Sequence, residues 1–155
     1  LDEPTGGVDP ISRRNFWELI SQLSSQGVTV LVTTHYLDEA EYCDDIILIN
    51  AGRLIAGGSP KELKTEHITY PIIEVEASNI IAAMDLLRDK PWVVEISLFG
   101  TYLHIGVQKE EMGRDEISKI LSSNNIAVKR IDKIVPSLED VFLHLLEEDL
   151  KRKAS

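Results

Sequence analysis

The sequence predicts a mixed α/β chain in two stretches, the first cut from a parallel sheet and the second an α+β unit. Three observations carry this reading. A short β-branched apolar run, Val28 to Val32, follows an amphipathic helical stretch, as expected of a strand buried on both faces. The rhythm of the chain changes near His67 to Pro71. Beyond that point, strand and helix patterns alternate in the order βαββαβ and end in one more amphipathic helix.

Taken in order, Leu1 reads as the last apolar residue of a strand. The chain begins with Leu1 rather than Met, so it is expected to be a piece of a longer protein. Gly6 and Gly7 make a loop. Asp9-Pro10 starts a helix, because Asp caps free N–H groups and Pro suits the first helical position. Phe16, Leu19, Ile20 and Leu23 recur at helical spacing to about Ser25, and Gly27 stops the helix. Thr33, Thr34 and His35 then stand at the carboxyl end of the Val28–Val32 run, where open α/β sheets bind ligands. A short acidic helix is expected from Leu37 to Tyr42. Ile46–Ile49 and Arg53–Ala56 read as a hairpin turning at Asn50-Ala51-Gly52. Ser59-Pro60-Lys61-Glu62 is a capping box with Pro at the first helical position.

In the second stretch Ile72–Ala77 is a strand, and Ile80, Met84 and Leu87 mark a helix. Val94, Ile96 and Leu98 alternate with Glu95 and Ser97 in a half-buried strand. Phe99-Gly100-Thr101 turns the chain into a partner strand with Leu103, Ile105 and Val107 on one face. Ile117, Ile120 and Leu121 mark a second helix, and Ile126–Ile134 a fourth strand. That order is the ferredoxin-like α+β arrangement. Ser137 and Asp140 cap a last helix striped by Leu138, Val141, Phe142, Leu145 and Leu146.

Composition excludes several roles. Of the 155 residues 43% are hydrophobic, enough for a real core, while 16 Lys plus Arg against 26 Asp plus Glu give a net charge of -10. Such a surface repels phosphate backbones, which argues against nucleic acid as a partner. The basic tail Lys151-Arg152-Lys153 reads as a solvated end. The single Cys43 allows no internal disulfide, in keeping with a reducing cytosol. No apolar run approaches the roughly 20 residues that span a bilayer.

Three pieces carry candidate chemistry: Asp2-Glu3 past a strand end, the loop Gly6-Gly7-Val8-Asp9 after them, and Thr33-Thr34-His35 at the next strand end. Phosphoryl transfer needs a metal to offset phosphate charge and a group to orient the attacking water. An Asp at a strand tip can hold Mg²⁺, a neighbouring Glu can polarise water, and a His can bond the phosphate or the Glu. Taken together, Leu1-Asp2-Glu3-Pro4-Thr5, Gly6-Gly7-Val8-Asp9 and His35 resemble the ATPase subunit of ABC transporters. The resemblance implies the Walker B end of a P-loop NTPase domain, with Asp2 as the Mg²⁺-associated and ATP-binding aspartate and Glu3 as the catalytic glutamate. It also implies that Asp9 lies in a D-loop communicating across a dimer and that His35 is the switch histidine. Position 6 is often Ser in that loop and is Gly here. Asp38-Glu39-Ala40-Glu41, Asn50-Ala51-Gly52-Arg53 and Gly58-Ser59-Pro60 look like the family's continuation, so the resemblance runs from Leu1 to about Thr65. Pro136-Ser137-Leu138-Glu139-Asp140-Val141-Phe142 is similar to the close of the C-terminal extension of ATPases serving ABC-2-type exporters.

The expected organisation is residues 1–66 as the C-terminal part of the ATPase domain, 67–150 as a ferredoxin-like accessory domain and 151–155 as a tail. The resemblance implies ATP and Mg²⁺ as ligands, a membrane-spanning permease and a second ATPase subunit as partners, and a place at the cytoplasmic face of the membrane. The G-x-x-x-x-G-K-[ST] phosphate loop and the Leu-Ser-Gly-Gly-type signature are absent from the chain, so it is expected not to hydrolyse ATP by itself. A half sheet leaves open edges, so self-association or poor order of the first stretch is also expected. Two other readings are a regulatory or dimerisation module and a non-transport ABC ATPase acting on ribosomes or DNA. The run Asp38, Glu39, Glu41 reads as a solvated helix face. His67, His104 and His144 read as surface or structural residues, and Trp17 and Trp92 as core or groove residues.

Overall fold

The computed structural model of the protein describes residues 1–154, with side chains through residue 152. Helix α1, Pro10–Ser25, starts at Asp9, whose side chain accepts from the backbone N–H groups of Ile11 and Ser12. It ends where Gly27 takes a φ of 86°, a conformation that costs glycine little. Trp17 is the buried residue of this helix, edge-on to Phe16 and stacked on Tyr42 at 5.5 Å in both cases. The stripe of Phe16, Leu19, Ile20 and Leu23 is otherwise not buried, and Leu19 is exposed.

The expected strand at Val28–Val32 does not form. Among the described residues its sheet contact is an isolated parallel bridge just past the run, between Asp2 and Thr33. Three backbone bonds make that contact: Leu1 N to Leu31 O at 2.7 Å, Thr33 N to Leu1 O at 2.8 Å and Glu3 N to Thr33 O at 2.9 Å. A strand requires neighbours, and among the described residues the backbone pairing here comes from Leu1 to Glu3. Leu31 is 79% and Leu1 61% exposed, so at these positions the apolar pattern that predicted burial is left uncovered among the described residues.

Helix α2 is a single turn, Leu37–Ala40. Strands β1, Ile46–Asn50, and β2, Arg53–Gly58, form the expected hairpin. Ala51 and Gly52 both have positive φ, 48° and 75°, as a tight two-residue turn between right-twisted strands requires. Helix α3, Pro60–His67, opens with the full Ser59–Glu62 capping box.

Strands β3, Ile72–Ala77, β4, Val93–Phe99, β5, Tyr102–Val107, and β6, Val128–Ile134, make one sheet in the order β4-β5-β3-β6. All three neighbouring pairs are antiparallel. Helices α4, Ile80–Leu87, and α5, Glu110–Ser123, cross one face. Alternate residues therefore face them: Ile73 and Val75 from β3, and Leu103, Ile105 and Val107 from β5, meet Ala83, Leu87, Ile117 and Leu121 in the larger core. Gly113 lets α5 approach closely, since a Cβ there would stand 2.9 Å from the Val107 methyls.

Helix α6, Leu138–Ala154, takes the rest of the chain to a second core. Leu138, Val141 and Leu145 pack with Ala40, Ile46, Leu48, Ala56, Leu63, Ile68 and Ile72. One helix thus joins the hairpin and α3 to the first residue of β3. On that side of the sheet Gly106 lies under the ring of Tyr70, and a Cβ at 106 would meet Tyr70 Cε2 at 2.5 Å. The Tyr70 hydroxyl is 3.1 Å from His144 Nδ1, which fixes the ring at both ends. Burial first, then the hydrogen bond and charge of Glu95, push the Tyr70 phenol well above its ordinary pKa. Gly106→Ala is therefore expected to cost about 1–3 kcal/mol through forced displacement of a held ring. Urea unfolding checks this: the midpoint should fall while the slope stays unchanged.

Candidate functional site

The parallel bridge brings the two predicted strand tips side by side. Glu3 N is bonded to Thr33 O, so the residues on either side of these atoms project from adjoining chain ends. The Thr33 hydroxyl donates to Asp2 Oδ1. Asp2 Oδ2 has no partner among the described residues. His35 Nδ1 lies 3.0 Å from Glu3 Oε1, and both side chains are about half exposed, at 58% and 53%. Asp2, Glu3 and His35 thus share one solvent-facing corner, and His35 Nε2 has no hydrogen-bond partner among the described residues.

Glu3 adopts a φ of 40°. A non-glycine residue in this region carries backbone strain, of order 1–3 kcal/mol, which persists only where the surroundings hold it. The holding contacts are visible: Glu3 N bonds Thr33 O, and Glu3 O accepts from Gly6 N at 3.1 Å. The loop from Thr5 to Asp9 closes with Val8 N on Thr5 O at 3.2 Å, and Gly7 has a φ of 72°.

Asp9 stands apart from this corner in role. Its Oδ1 accepts from Ile11 N at 3.0 Å and Ser12 N at 3.1 Å. Bonds from the Ser12 side chain and backbone, ahead of a smaller desolvation effect, hold its carboxyl below the usual carboxylate pKa. The carboxylate is committed to starting α1.

Residue 39 was misread from sequence. Asp38 and Glu41 are exposed as expected, but Glu39 is 1% exposed. Its carboxylate takes the Thr5 hydroxyl at 2.7 Å on both oxygens and the Thr34 hydroxyl at 3.2 Å on Oε2. Arg13 Nε is 3.1 Å from Oε1, an ion pair that lacks hydrogen-bond alignment, and its guanidinium lies over the Tyr36 ring at 4.8 Å. Residues 39 and 40 form the inner side of the α2 turn, which the residue types alone do not mark.

His104 and His144 have structural partners, as expected. His104 is buried on β5 between Asp140 Oδ1, 2.7 Å from Nδ1, and Glu74 Oε2, 3.3 Å from Nε2, and stacks on Phe99 at 3.9 Å. His144 of α6 meets Glu95 of β4 at 3.0 Å. No group of three or more His, Cys, Asp or Glu that could cage a metal exists among the described residues. That does not bar Mg²⁺, which keeps its waters and takes only one or two carboxylates alongside phosphates. Asp2, with one oxygen anchored by a neutral hydroxyl and the other open, fits that use. No helix among the described residues is long and apolar enough to cross a membrane.

Residues 58–146 match the family model described as ATP-binding protein DrrA1-3-like, C-terminal domain. The Nod factor export ATP-binding protein I of Rhizobium sp. (strain N33) is 35% identical over 153 residues, covering 98% of this chain and 48% of that protein. The corresponding protein of Rhizobium leguminosarum bv. viciae is 36% identical, with 98% and 47% covered. A probable multidrug ABC transporter ATP-binding protein, YbhF of Escherichia coli (strain K12), is 59% identical over 66 residues, 43% of this chain and 11% of that protein. The chain spans about half the length of the Nod factor export relatives it matches. With more than half of its residues inside the matched domain, the chain belongs to the DrrA1-3-like family of ABC transporter ATP-binding proteins, C-terminal domain included.

Proposed function

We propose that this chain is the C-terminal part of an ATP-hydrolysing subunit that drives an ABC exporter through a membrane-spanning permease. The observation that carries the proposal is the contact of Glu3 with His35 at 3.0 Å, beside an Asp2 with an open oxygen. In this reading Glu3 polarises the water that attacks the γ-phosphate and Asp2 holds hydrated Mg²⁺. When bound, the ion offsets charge on the phosphate oxygens. His35 Nδ1 faces Glu3 at 3.0 Å and leaves Nε2 open toward the phosphate in this reading.

Other parts of the reading rest on the same family. A second ATPase subunit, in a homodimer or a tandem chain, faces the loop that ends at Asp9. The subunit works at the cytoplasmic face of the membrane. Residues 1–66 belong to the ATPase domain, 67–150 form a ferredoxin-like accessory domain, and 151–155 are a tail. Support for the accessory fold is the βαββαβ order with the antiparallel strand order β4-β5-β3-β6. A regulatory role for that domain is favoured by α6, whose Leu138, Val141 and Leu145 share one core with the hairpin and α3. Movement of the accessory domain would pull directly on the ATPase part.

The sequence contains no phosphate-cradling loop, so the chain alone is expected to show no ATP hydrolysis. The full-length subunit, carrying its upstream half, is expected to hydrolyse ATP with Mg²⁺ and to stop when the metal is chelated. Phosphate release measured on both proteins tests this. Family-like turnover by the 155-residue chain, or a full-length subunit inert with and without its permease, would count against the proposal.

A further inference from the structure

Glu39 touches neither of the two catalytic candidates, yet it touches the chain beside each of them. Thr5, itself 1% exposed, lies two residues after Glu3 and gives its hydroxyl to the Glu39 carboxylate at 2.7 Å. Thr34 directly precedes His35 and donates to Glu39 Oε2 at 3.2 Å. The same Thr34 hydroxyl accepts from Tyr36 N at 3.0 Å, so the chain is held on both sides of His35. Arg13, on the helix that follows Asp9, supplies the countercharge at 3.1 Å.

Burying a carboxylate is costly unless donors compensate for the lost water. A side chain that only filled this space would do so without a charge. What a charge adds is direction: each hydroxyl has one proton, and the carboxylate sets where it points. The two hydroxyls come from the two segments whose separation fixes the Glu3 to His35 distance. We infer that Glu39 is a positioning residue for the Glu3–His35 pair, tying the loop after Glu3 to the segment before His35. It acts through Thr5 and Thr34 and makes no contact with nucleotide. The inference rests on the hydrolytic reading above.

The test uses the full-length subunit and the variants Thr5→Val and Thr34→Val, which remove one hydroxyl each and nearly keep the volume. Each is expected to lower kcat about tenfold or more with KM for ATP within about twofold, because geometry at the reacting centre is lost while binding is not. Thr5→Ser and Thr34→Ser should restore kcat. Since both hydroxyls act through one carboxylate, the double Val variant should lose little more than either single one, and in a Glu39→Gln background the Val changes should add almost nothing. A merely structural Glu39 would lower the melting temperature and leave kcat per folded molecule intact. Folded Thr5→Val and Thr34→Val proteins with wild-type kcat overturn the inference while wild-type hydrolysis keeps the proposed function standing. A wild-type subunit without hydrolysis overturns both. Should Glu39→Gln not fold, the single Thr variants and their Ser partners decide the matter.

Discussion

Asp140→Ala is expected to cost about 3–5 kcal/mol of folding stability and to loosen α6 from the sheet, because it takes the nearer of two carboxylates from the buried His104 and removes a helix cap as well. Asp140 is 3% exposed and His104 8%. Both ring nitrogens of His104 face carboxylates, Asp140 at 2.7 Å and Glu74 at 3.3 Å, so both must donate. Asp140 has a second task at the start of α6. Its Oδ2 accepts from the Ser137 backbone N–H and from the Ser137 hydroxyl, each at 2.7 Å, while Ser137 Oγ accepts from Asp140 N at 3.1 Å. The side chain therefore caps the helix and charges its seat on the sheet. Asp140→Asn, which keeps an acceptor for Ser137 but not the charge, should lose distinctly less than Asp140→Ala.

The same pair sets a pH dependence of known sign. Burial alone would lower the His104 pKa, but the hydrogen bond and charge of Asp140, followed by those of Glu74, outweigh it and raise the group above its ordinary 6.5. A raised folded-state pKa means that the contribution is complete below pH 6.5 and disappears as pH climbs through the raised value. For Asp140 burial pulls upward, and the bonds from His104 and Ser137 prevail, leaving it below 3.8. Its contribution is complete above pH 3.8 and disappears as pH falls through the lowered value. The pair thus stabilises most in the mildly acidic range between those limits. Chemical unfolding of the wild type and His104→Gln from acid to pH 9 reads this out. Their difference should be widest near pH 5–6 and shrink at alkaline pH. A difference that stays constant to pH 9 would mean that His104 is not held as a cation.

How legible was this arrangement? Local chemistry was readable: the Ser59 and Ser137 caps, the Ala51-Gly52 turn and strands β3 and β5 are each specified within a few residues. Strand β4 forms where expected, but of Val94, Ile96 and Leu98 only Ile96 is buried, the other two being 44% exposed. That Asp2, Glu3 and His35 lie together was readable too, from the motif resemblance that joins Leu1–Thr5 to Thr33–His35, and the 3.0 Å contact of Glu3 with His35 agrees with it. Two things were not. Val28–Val32 has the composition of a buried strand, but whether a strand forms depends on neighbours that composition does not supply. The polar partners of Glu39, His104 and His144 are remote, with Thr5 34 residues from Glu39, Asp140 36 from His104 and Glu95 49 from His144. Nothing local distinguishes an acidic residue that will be enclosed from one that will face water. Tertiary topology decides it, and α2 shows how sharply: Asp38 and Glu39 are adjacent, one exposed and one enclosed.

Glu3→Gln carries the largest expected effect on activity. In the full-length subunit it should lower kcat at least about 100-fold, since an amide cannot take up a proton from the attacking water. The change is almost isosteric, so it leaves the strained backbone at φ 40° and the bond from Glu3 N to Thr33 O as they are. It also leaves Asp2 and its Thr33 anchor untouched, and with them the metal role proposed for Asp2. ATP binding, measured at equilibrium with Mg²⁺, should therefore change by less than about tenfold while single-turnover hydrolysis nearly stops. Glu3→Gly is the informative control. Glycine relieves the positive φ, so the variant should be no less stable than wild type and still inactive, separating backbone strain from the chemistry of the carboxylate. His35→Ala should also slow hydrolysis, because it removes the partner of Glu3 Oε1 and, in the proposed reading, the ring nitrogen that faces the phosphate. Hydrolysis by Glu3→Gln at close to the wild-type rate would show that the water is activated elsewhere, and the 3.0 Å contact with His35 would then be structural only.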